Sequence, residues 1–136
     1  MSNADKLRQA YQVWHDTRGA NGSVWLDLFA DDVVLRSLAD GASGMKFSAP
    51  RTGKAAAEHY LAELAREWEM EYFKTDDFIA DGDRVAVVGR CAWRYRDTGK
   101  TAESPVVTIW RFRDGKVVEF MEFYDTAKAF AAARPG

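Results

Sequence analysis

A single carboxylate stands out in the sequence as a candidate for acid–base chemistry. Glu122 lies between Phe120 and Tyr124 in the run from Lys116 to Asp125, whose β-branched and aromatic residues predict a strand. Because side chains alternate along a strand, Glu122 shares a face with these two aromatic residues. Burial on such a face disfavours the charged carboxylate and raises its pKa. Glu122 could therefore donate or accept a proton near neutral pH.

The titratable side chains can also be explained by structural roles. Glu122 itself has an alternative role, in which an arginine or a tyrosine hydroxyl holds it and it only organises the protein around it. Asp125 stands before a helical pattern and is expected to be its N-cap. His15 lies at the edge of an apolar helical stripe, and His59 lies on the solvent side of its helix. Cys91 is expected to be a small core residue.

The strand that carries Glu122 is predicted to fold back on a preceding strand, Pro105 to Phe112. The Asp-Gly between them permits a two-residue turn or a three-residue loop, and the three-residue loop pairs Phe112 with Lys116. With that register, one face of the hairpin carries Val106, Thr108, Trp110, Val118, Phe120, Glu122 and Tyr124. The other face carries Val107, Ile109, Met121 and Phe123. Both faces are apolar, so we expect both to be covered.

Composition indicates one globular domain spanning residues 1–136. Hydrophobic residues make up 47% of the chain, which excludes a disordered protein. A net charge of -2 without blocks of like charge gives no electrostatic case for binding nucleic acid or a membrane surface. The sequence shows no long apolar run or signal peptide, and its single cysteine fits a cytoplasmic protein. It contains no metal-ligand cluster, phosphate loop or dinucleotide fingerprint, so we expect no cofactor.

Helical and strand patterns follow one another in an order typical of an α+β fold. The predicted elements are a helix Ala4 to Thr17, a short helix Val24 to Phe29, a strand Val33 to Leu38, an irregular segment Ala39 to Arg51, a helix Thr52 to Glu69, strands Met70 to Ala80 and Arg84 to Arg96, the hairpin, and a final helix after Asp125. These helices are too few to cover both faces of the sheet. We therefore expect a homodimer through the Val107, Ile109, Met121 and Phe123 face.

Three stretches resemble one known group of proteins. They are Phe29-Ala-Asp-Asp-Val-Val, Thr52-Gly-Lys at a helix start, and Trp110-Arg-Phe-Arg-Asp-Gly-Lys-Val-Val-Glu119. With the element order, they resemble SnoaL-like members of the nuclear transport factor 2-like superfamily, which includes ketosteroid isomerases and small polyketide cyclases. The resemblance implies a cone-shaped, cystatin-like roll, in which a curved mixed β-sheet wraps around N-terminal helices. It also implies an apolar pocket and frequent dimerisation.

The functional residues of ketosteroid isomerases are not matched at the corresponding positions. Their general-base aspartate corresponds to Ser37, and the protonated aspartate of their oxyanion hole corresponds to Thr108. Their oxyanion-hole tyrosine falls at Val13 or Trp14, one helical turn from Tyr11. These departures argue against a steroid isomerase mechanism.

The resemblance nevertheless places a set of side chains toward a pocket, with Trp14 and Tyr60 on the inner stripes of two helices. The expected pocket residues are Trp14, Ser37, Tyr60, Trp93, Tyr95, Thr108, Trp110, Phe120, Glu122 and Tyr124. The resulting hypothesis is proton transfer on a small apolar carbonyl or polyketide-like compound. Glu122 moves the proton, and hydroxyls of Tyr95, Thr108 or Ser37 bind the oxygen. The alternatives are a non-catalytic small-molecule binding protein and a structural dimer whose own side chains fill the pocket.

Overall fold

The computed structural model describes residues 1–41 and 48–136 of the chain. Within these ranges the helices are α1 (Asn3–Asp16), α2 (Ser23–Leu26), α3 (Lys54–Glu67) and α4 (Thr126–Ala133). The strands are β1 (Phe29–Ser37), β2 (Arg51–Thr52), β3 (Trp68–Asp81), β4 (Arg84–Tyr95), β5 (Thr101–Arg113) and β6 (Lys116–Tyr124). Apart from the two-residue β2, this is the predicted order of elements. The predicted irregular segment, residues 39–51, lies partly outside the described residues.

All six strands form one curved, unclosed sheet in the order β2-β1-β6-β5-β4-β3. β1 and β6 pair in parallel, whereas the other neighbours are antiparallel, so the sheet is mixed. α1 packs against β3, and α3 packs against β1. The helices thus lie against the concave side of the sheet, as the α+β prediction requires.

The second helix ends earlier, and the first strand begins earlier, than the sequence indicates. α2 ends at Leu26, and β1 begins at Phe29 rather than Val33. The start of β6 explains the difference. The Val117 amide donates to the Leu28 carbonyl oxygen at 2.8 Å, and Val117 lies beside Phe29 in the sheet. A strand partner distant in sequence thus overrides the local helical preference.

The β5–β6 turn contains two residues, not the three predicted. Asp114 and Gly115 both have positive φ, 52° and 79°, which is the conformation of a type I′ turn. Arg113 therefore pairs with Lys116, and the predicted pairing of Phe112 with Lys116 is wrong.

A β-bulge next to this shorter turn returns the following side chains to the faces that the sequence predicts. Phe112 pairs with Val117, and the register then shifts so that Trp110 pairs with Phe120. Val117 is consequently the fully buried residue at the start of β6, and the prediction of Val118 on the inner face is wrong. Beyond the bulge, the alternation of the two faces is the one predicted.

The two faces of the hairpin differ in burial. Val106, Thr108 and Trp110 are each no more than 2% exposed on the inner face. On the opposite face, Ile109 pairs with Met121, and Val107 pairs with Phe123, whose exposure is 39%. We call these last four residues the outer face. Apart from Val118, the predicted division of side chains between the two faces is confirmed.

Gly89 permits a close approach between β3 and β4. A Cβ atom at this position would lie 2.1 Å from the carbonyl oxygen of Lys74, where β3 bulges between Thr75 and Asp77. Only glycine fits this contact without moving the backbone. None of the described helices is long and apolar enough to cross a membrane.

Candidate active-site pocket

Glu122 lies in the middle of a polar row that crosses three neighbouring strands. It pairs with Ser37 of β1 on one side and with Thr108 of β5 on the other. The parallel pairing of β1 with β6 places Ser37 there, because it brings the end of β1 beside the end of β6. The sheet thus gathers the three polar residues at one level of its inner face.

The carboxyl of Glu122 has an unusual environment. Burial raises its pKa from 4.5 to about 7. Within residues 1–41 and 48–136 it forms no ion pair or hydrogen bond, so neither an arginine nor a tyrosine hydroxyl holds it. The side chain keeps partial accessibility because it faces an internal space. A carboxyl with such a pKa can both take and release a proton near neutral pH.

That internal space is a pocket between the sheet and the helices, with a volume of about 100 Å³. All five tryptophans of the chain contribute to its wall. The lining residues are Tyr11, Trp14, Trp25, Phe29, Leu35, Tyr60, Leu61, Leu64, Trp68, Phe73, Cys91, Trp93, Ala102, Ser104, Trp110, Phe120, Glu122, Tyr124, Asp125 and Ala129. The wall is therefore largely aromatic, with few polar groups.

Two phenols lie close to the carboxyl. The Ser37 hydroxyl donates to Tyr124 Oη at 2.6 Å, and the Ala39 backbone amide also bonds this phenol. Tyr124 Oη thus accepts hydrogen bonds while its own proton has no acceptor among the described residues. Tyr60 Oη has no hydrogen-bond partner in the described part of the chain. Burial, reinforced by the charge of Glu122, raises the pKa of both phenols, so both remain proton donors.

A third phenol is fixed by a buried hydrogen-bond network. Tyr11 Oη lies 2.7 Å from Thr108 Oγ1, which also accepts a 2.8 Å hydrogen bond from Trp110 Nε1. Burial raises the pKa of Tyr11 well above its usual range. Trp25 stacks on Trp110 with ring centroids 5.0 Å apart. The network therefore connects α1 to the sheet and fixes the base of the pocket.

Most of the predicted pocket residues line the pocket, but three do not. Trp14, Tyr60, Trp93, Trp110, Phe120, Glu122 and Tyr124 do so. Ser37 and Thr108 lie behind the wall, where they bond Tyr124 and Tyr11. Tyr95 is outside the wall, at the end of β4, with its ring 4.9 Å from and edge-on to Trp68. The placement of these three residues in the pocket is therefore corrected.

The remaining titratable candidates have structural contacts. Asp125 Oδ1 accepts a 3.1 Å hydrogen bond from the Lys128 amide, so it is the N-cap of α4, as predicted. His15 Nδ1 accepts a 3.1 Å hydrogen bond from the Phe73 amide in β3. His59 is exposed and pairs with Glu63. No three metal-ligating side chains cluster among the described residues.

Sequence reasoning missed much of the wall. Cys91 is buried in the core, as predicted, but it also lines the pocket, and burial raises the pKa of its thiol to about 12. Tyr11, Leu61 and Leu64 lie on helical stripes that the sequence already identified as apolar. That periodicity separates inner from outer residues but does not separate a packed core from a cavity wall. The sequence predicts Trp68 within a helix, but the structure shows that it begins β3.

Comparison with known proteins assigns this fold to a family. A family model described as a SnoaL-like domain matches residues 7–120. The chain belongs to the SnoaL-like domain family. This confirms the resemblance inferred from the sequence. A search of curated proteins gave no match to this SnoaL-like chain.

Solved structures share the fold of this SnoaL-like domain over nearly its whole length. An NTF2-like protein of unknown function from Burkholderia pseudomallei is 26% identical, with a TM-score of 0.83 and 98% of each chain covered. TerC, co-crystallised with polyporic acid, is 23% identical, with a TM-score of 0.79 over 96% of this chain and 97% of that one. A Catenulispora acidiphila protein with a ketosteroid isomerase-like fold, in complex with trimethylamine, is 16% identical, with a TM-score of 0.74 over 93% of each chain. These matches show an NTF2-like fold.

Proposed function

We propose that this SnoaL-like protein transfers a proton on a small, largely apolar carbonyl compound, without a cofactor. The observation that supports this function is the Glu122 carboxyl, which has no hydrogen-bond or ion-pair partner among the described residues and whose pKa of about 7 lies at the operating pH of a general base. The aromatic wall provides binding energy for an apolar substrate. The family relationship is consistent with this chemistry, but it does not select it.

The proposed mechanism assigns a role to each polar group near the carboxyl. Ionised Glu122 removes a proton from the carbon next to the carbonyl, and the electron pair of that C–H bond moves onto the carbonyl oxygen as an enolate. The phenols of Tyr124 and Tyr60, whose protons have no acceptor in the described structure, donate hydrogen bonds to that oxygen. Protonated Glu122 then returns its proton to carbon. Ser37 holds Tyr124 and does not touch the substrate.

The ligands of related proteins support small-molecule binding, and the volume of this pocket limits how large such a molecule can be. A volume of about 100 Å³ lies below the roughly 300–1,000 Å³ typical of ligand pockets, so the substrate has few heavy atoms unless the pocket widens. TerC was crystallised with polyporic acid, and the Catenulispora protein with trimethylamine. The free volume also argues against the alternative in which the protein's own side chains fill the pocket.

A non-catalytic binding protein is the second candidate function. The observation that favours it is that Glu122 has no second acid or base within hydrogen-bonding distance in the described structure. A binding protein uses the same aromatic wall but has no turnover to lose. Replacement of Glu122 therefore separates the two functions.

Proton exchange provides the test. The protein is incubated with cyclohexanone in deuterium oxide, and deuterium incorporation next to the carbonyl is followed by NMR. We expect enzyme-dependent exchange that rises with pH through about 7 and falls at least about 100-fold in Glu122→Gln. Glu119→Gln, on the same strand but exposed, is the matched control and should retain the exchange. Equal exchange in wild type and Glu122→Gln, or none in either across a panel of small ketones that bind, would favour the binding protein.

We also propose that the protein forms a homodimer through the outer face. No described helix covers this face, and Phe123 exposes an aromatic ring beside Val107. The occupant is a second copy of the chain, because the same patch can serve both sides of a two-fold interface. Analytical ultracentrifugation should give a dimer for wild type and a monomer for Met121→Asp. Phe130→Asp, which alters an exposed aromatic residue on α4, should remain dimeric. A monomeric wild type at micromolar concentration would contradict the dimer.

A further inference from the structure

The charge balance of the pocket limits the ligands that it can accept. No lysine, arginine or histidine contributes to its wall, within the described residues. Arg51 comes near, with its guanidinium 5.8 Å from the Tyr60 ring, but that guanidinium is bound by the Glu63 carboxylate at 3.2 Å. Among the described residues, the only formal charges on the wall belong to Glu122 and Asp125. An anionic ligand would therefore find no compensating charge from these residues.

The two wall carboxyls are not equivalent. Asp125 lies at the end of β6 and accepts the hydrogen bond of the Lys128 amide as the cap of α4. Glu122 has no such partner in the described structure. When Glu122 is ionised, the pocket therefore holds a buried negative charge, and no positively charged group among the described residues balances it.

The aromatic rings around this carboxyl also attract positive charge. The faces of indole and phenol rings carry negative electrostatic potential, and tryptophan is the strongest of the three aromatic types in cation–π contacts. Trp14, Trp25, Trp68, Trp93 and Trp110 all contribute to the wall. These rings are not coplanar, since Trp14 meets Trp25 edge-on at 5.8 Å, whereas Trp25 stacks on Trp110 at 5.0 Å.

We infer that the pocket binds a small methylated ammonium ion, with its charge against the Glu122 carboxylate and its methyl groups against the tryptophan rings. Methylation follows from the shortage of acceptors. A primary ammonium has three N–H donors to satisfy, whereas the described wall offers few acceptors besides the Glu122 carboxylate, and Tyr124 Oη already accepts a hydrogen bond from Ser37. A tertiary or quaternary ammonium has one donor or none. This inference goes beyond the proposed function, because it requires binding but no proton transfer.

Binding of such a cation must be linked to the ionisation of Glu122. Burial alone raises the pKa of the carboxyl to about 7, so near that pH only about half of the free protein carries the charge. Tyr11 of α1, Tyr60 of α3, Cys91 of β4 and Tyr124 of β6 face the carboxyl, and all four have raised pKa values. They stay neutral between pH 5 and 8. A bound cation favours the carboxylate, so it lowers the pKa of Glu122 and releases a proton.

Three probes of one shape and different charge test the inference. They are choline, its uncharged isostere 3,3-dimethylbutan-1-ol, and the anion 3,3-dimethylbutanoate, each titrated into the full chain by calorimetry. At pH 8 we expect choline to bind at least about tenfold more tightly than the alcohol, and the anion to bind most weakly. At pH 5.5 the advantage of choline should shrink to about twofold, because Glu122 is then protonated. Titrations at pH 7 in two buffers of different ionisation enthalpy should show proton release.

Two outcomes would overturn the inference. One is an alcohol that binds as tightly as choline at pH 8, and the other is choline affinity that does not change between pH 5.5 and 8. Glu122→Gln should remove the preference for choline, whereas Glu119→Gln should keep it. Should Glu122→Gln fail to fold, the pH series on wild type still decides. Deuterium incorporation into cyclohexanone without binding of choline would contradict only this inference. Binding of choline without deuterium incorporation would contradict only the proposed enzymatic function.

Discussion

Thr108 and Glu122 lie directly opposite each other on β5 and β6, yet no hydrogen bond joins them. The hydroxyl of Thr108 is already engaged by Tyr11 Oη at 2.7 Å and by Trp110 Nε1 at 2.8 Å. A nearby hydroxyl is thus directed away from the carboxyl. Glu122 thus has no stabilising partner in the described part of the chain, which is why burial determines its pKa.

Thr108→Val is expected to destabilise the protein strongly. The substitution keeps the shape of the side chain but leaves the Tyr11 hydroxyl and the Trp110 N–H without a partner in a buried site. Each unpaired group costs about 1–3 kcal/mol. Urea unfolding measures the effect. Thr108→Ser keeps the hydroxyl and is the control, so equal stability of the two variants would show that the network contributes little.

Glu122→Gln is expected to become more stable than wild type as pH rises. Below about pH 4.5 the carboxyl is protonated in both the folded and the unfolded state. Between pH 4.5 and about 7 only the unfolded chain loses the proton, so the stability of wild type falls with pH. The full difference corresponds to up to about 3 kcal/mol and is reached above pH 7.

Denaturant unfolding at pH 4, 6 and 8 measures this difference. Glu119→Gln removes an exposed carboxyl from the other side of the same strand, and its effect should stay within about 0.5 kcal/mol. A stability difference between Glu122→Gln and wild type that is the same at pH 4 and pH 8 would refute the raised pKa of Glu122.

Gly89→Ala is expected to destabilise the sheet. The added methyl group would lie 2.1 Å from the Lys74 carbonyl oxygen, so the β3 bulge must move. Such overpacking costs about 1–3 kcal/mol or more. Gly22→Ala is the control, because its methyl group would meet only Leu61 at an ordinary 3.5 Å. Thermal unfolding compares the two, and similar melting temperatures would contradict the close β3–β4 contact.

Asp125→Ala is expected to loosen α4, which contributes Ala129 to the pocket wall. Loss of the cap to the Lys128 amide costs about 0.5–2 kcal/mol. Hydrogen exchange of the α4 amides should accelerate by a corresponding factor, whereas Asp125→Asn, which can still cap, should resemble wild type. Unchanged exchange in Asp125→Ala would show that other contacts hold the helix.

The hairpin shows how much of the fold the sequence determines. Side-chain alternation separated Glu122 and Phe120 from Met121, and the shortage of helices and the family resemblance identified the face of Glu122 as the inner one, as the structure confirms. The pairing partners were wrong, because Asp-Gly supports more than one turn geometry and a bulge has no clear local signature. The shorter turn and the bulge each shift the register by one residue, so beyond the bulge the partners differ from the prediction by two positions and every side chain stays on its predicted face. Alternation is therefore more robust than register.

The site was harder to predict than the fold. Tyr124 and Trp110 were placed in the pocket by the resemblance, but which hydroxyls face the ligand depends on hydrogen bonds between distant residues. Ser37 and Thr108 lie at the right level of the sheet, yet each is engaged behind the wall by a tyrosine. Periodicity cannot show this, because it gives the direction of a side chain and not its partner. The prediction of Tyr95 in the pocket is wrong because Tyr95, at the end of β4, packs against Trp68 and lies outside the wall to which Trp68 contributes.

The parallel pairing of β1 with β6 has a consequence for biosynthesis. β6 carries Glu122 and lies between β1 and β5 in the sheet, but it is the last of the six strands to leave the ribosome. Until it emerges, β1 has only the two-residue β2 beside it, and the tryptophans of the growing chain lack one wall of their enclosure. The aromatic residues of the nascent chain therefore stay exposed to aggregation until β6 has left the ribosome and paired with β1, and chaperones would act in that interval.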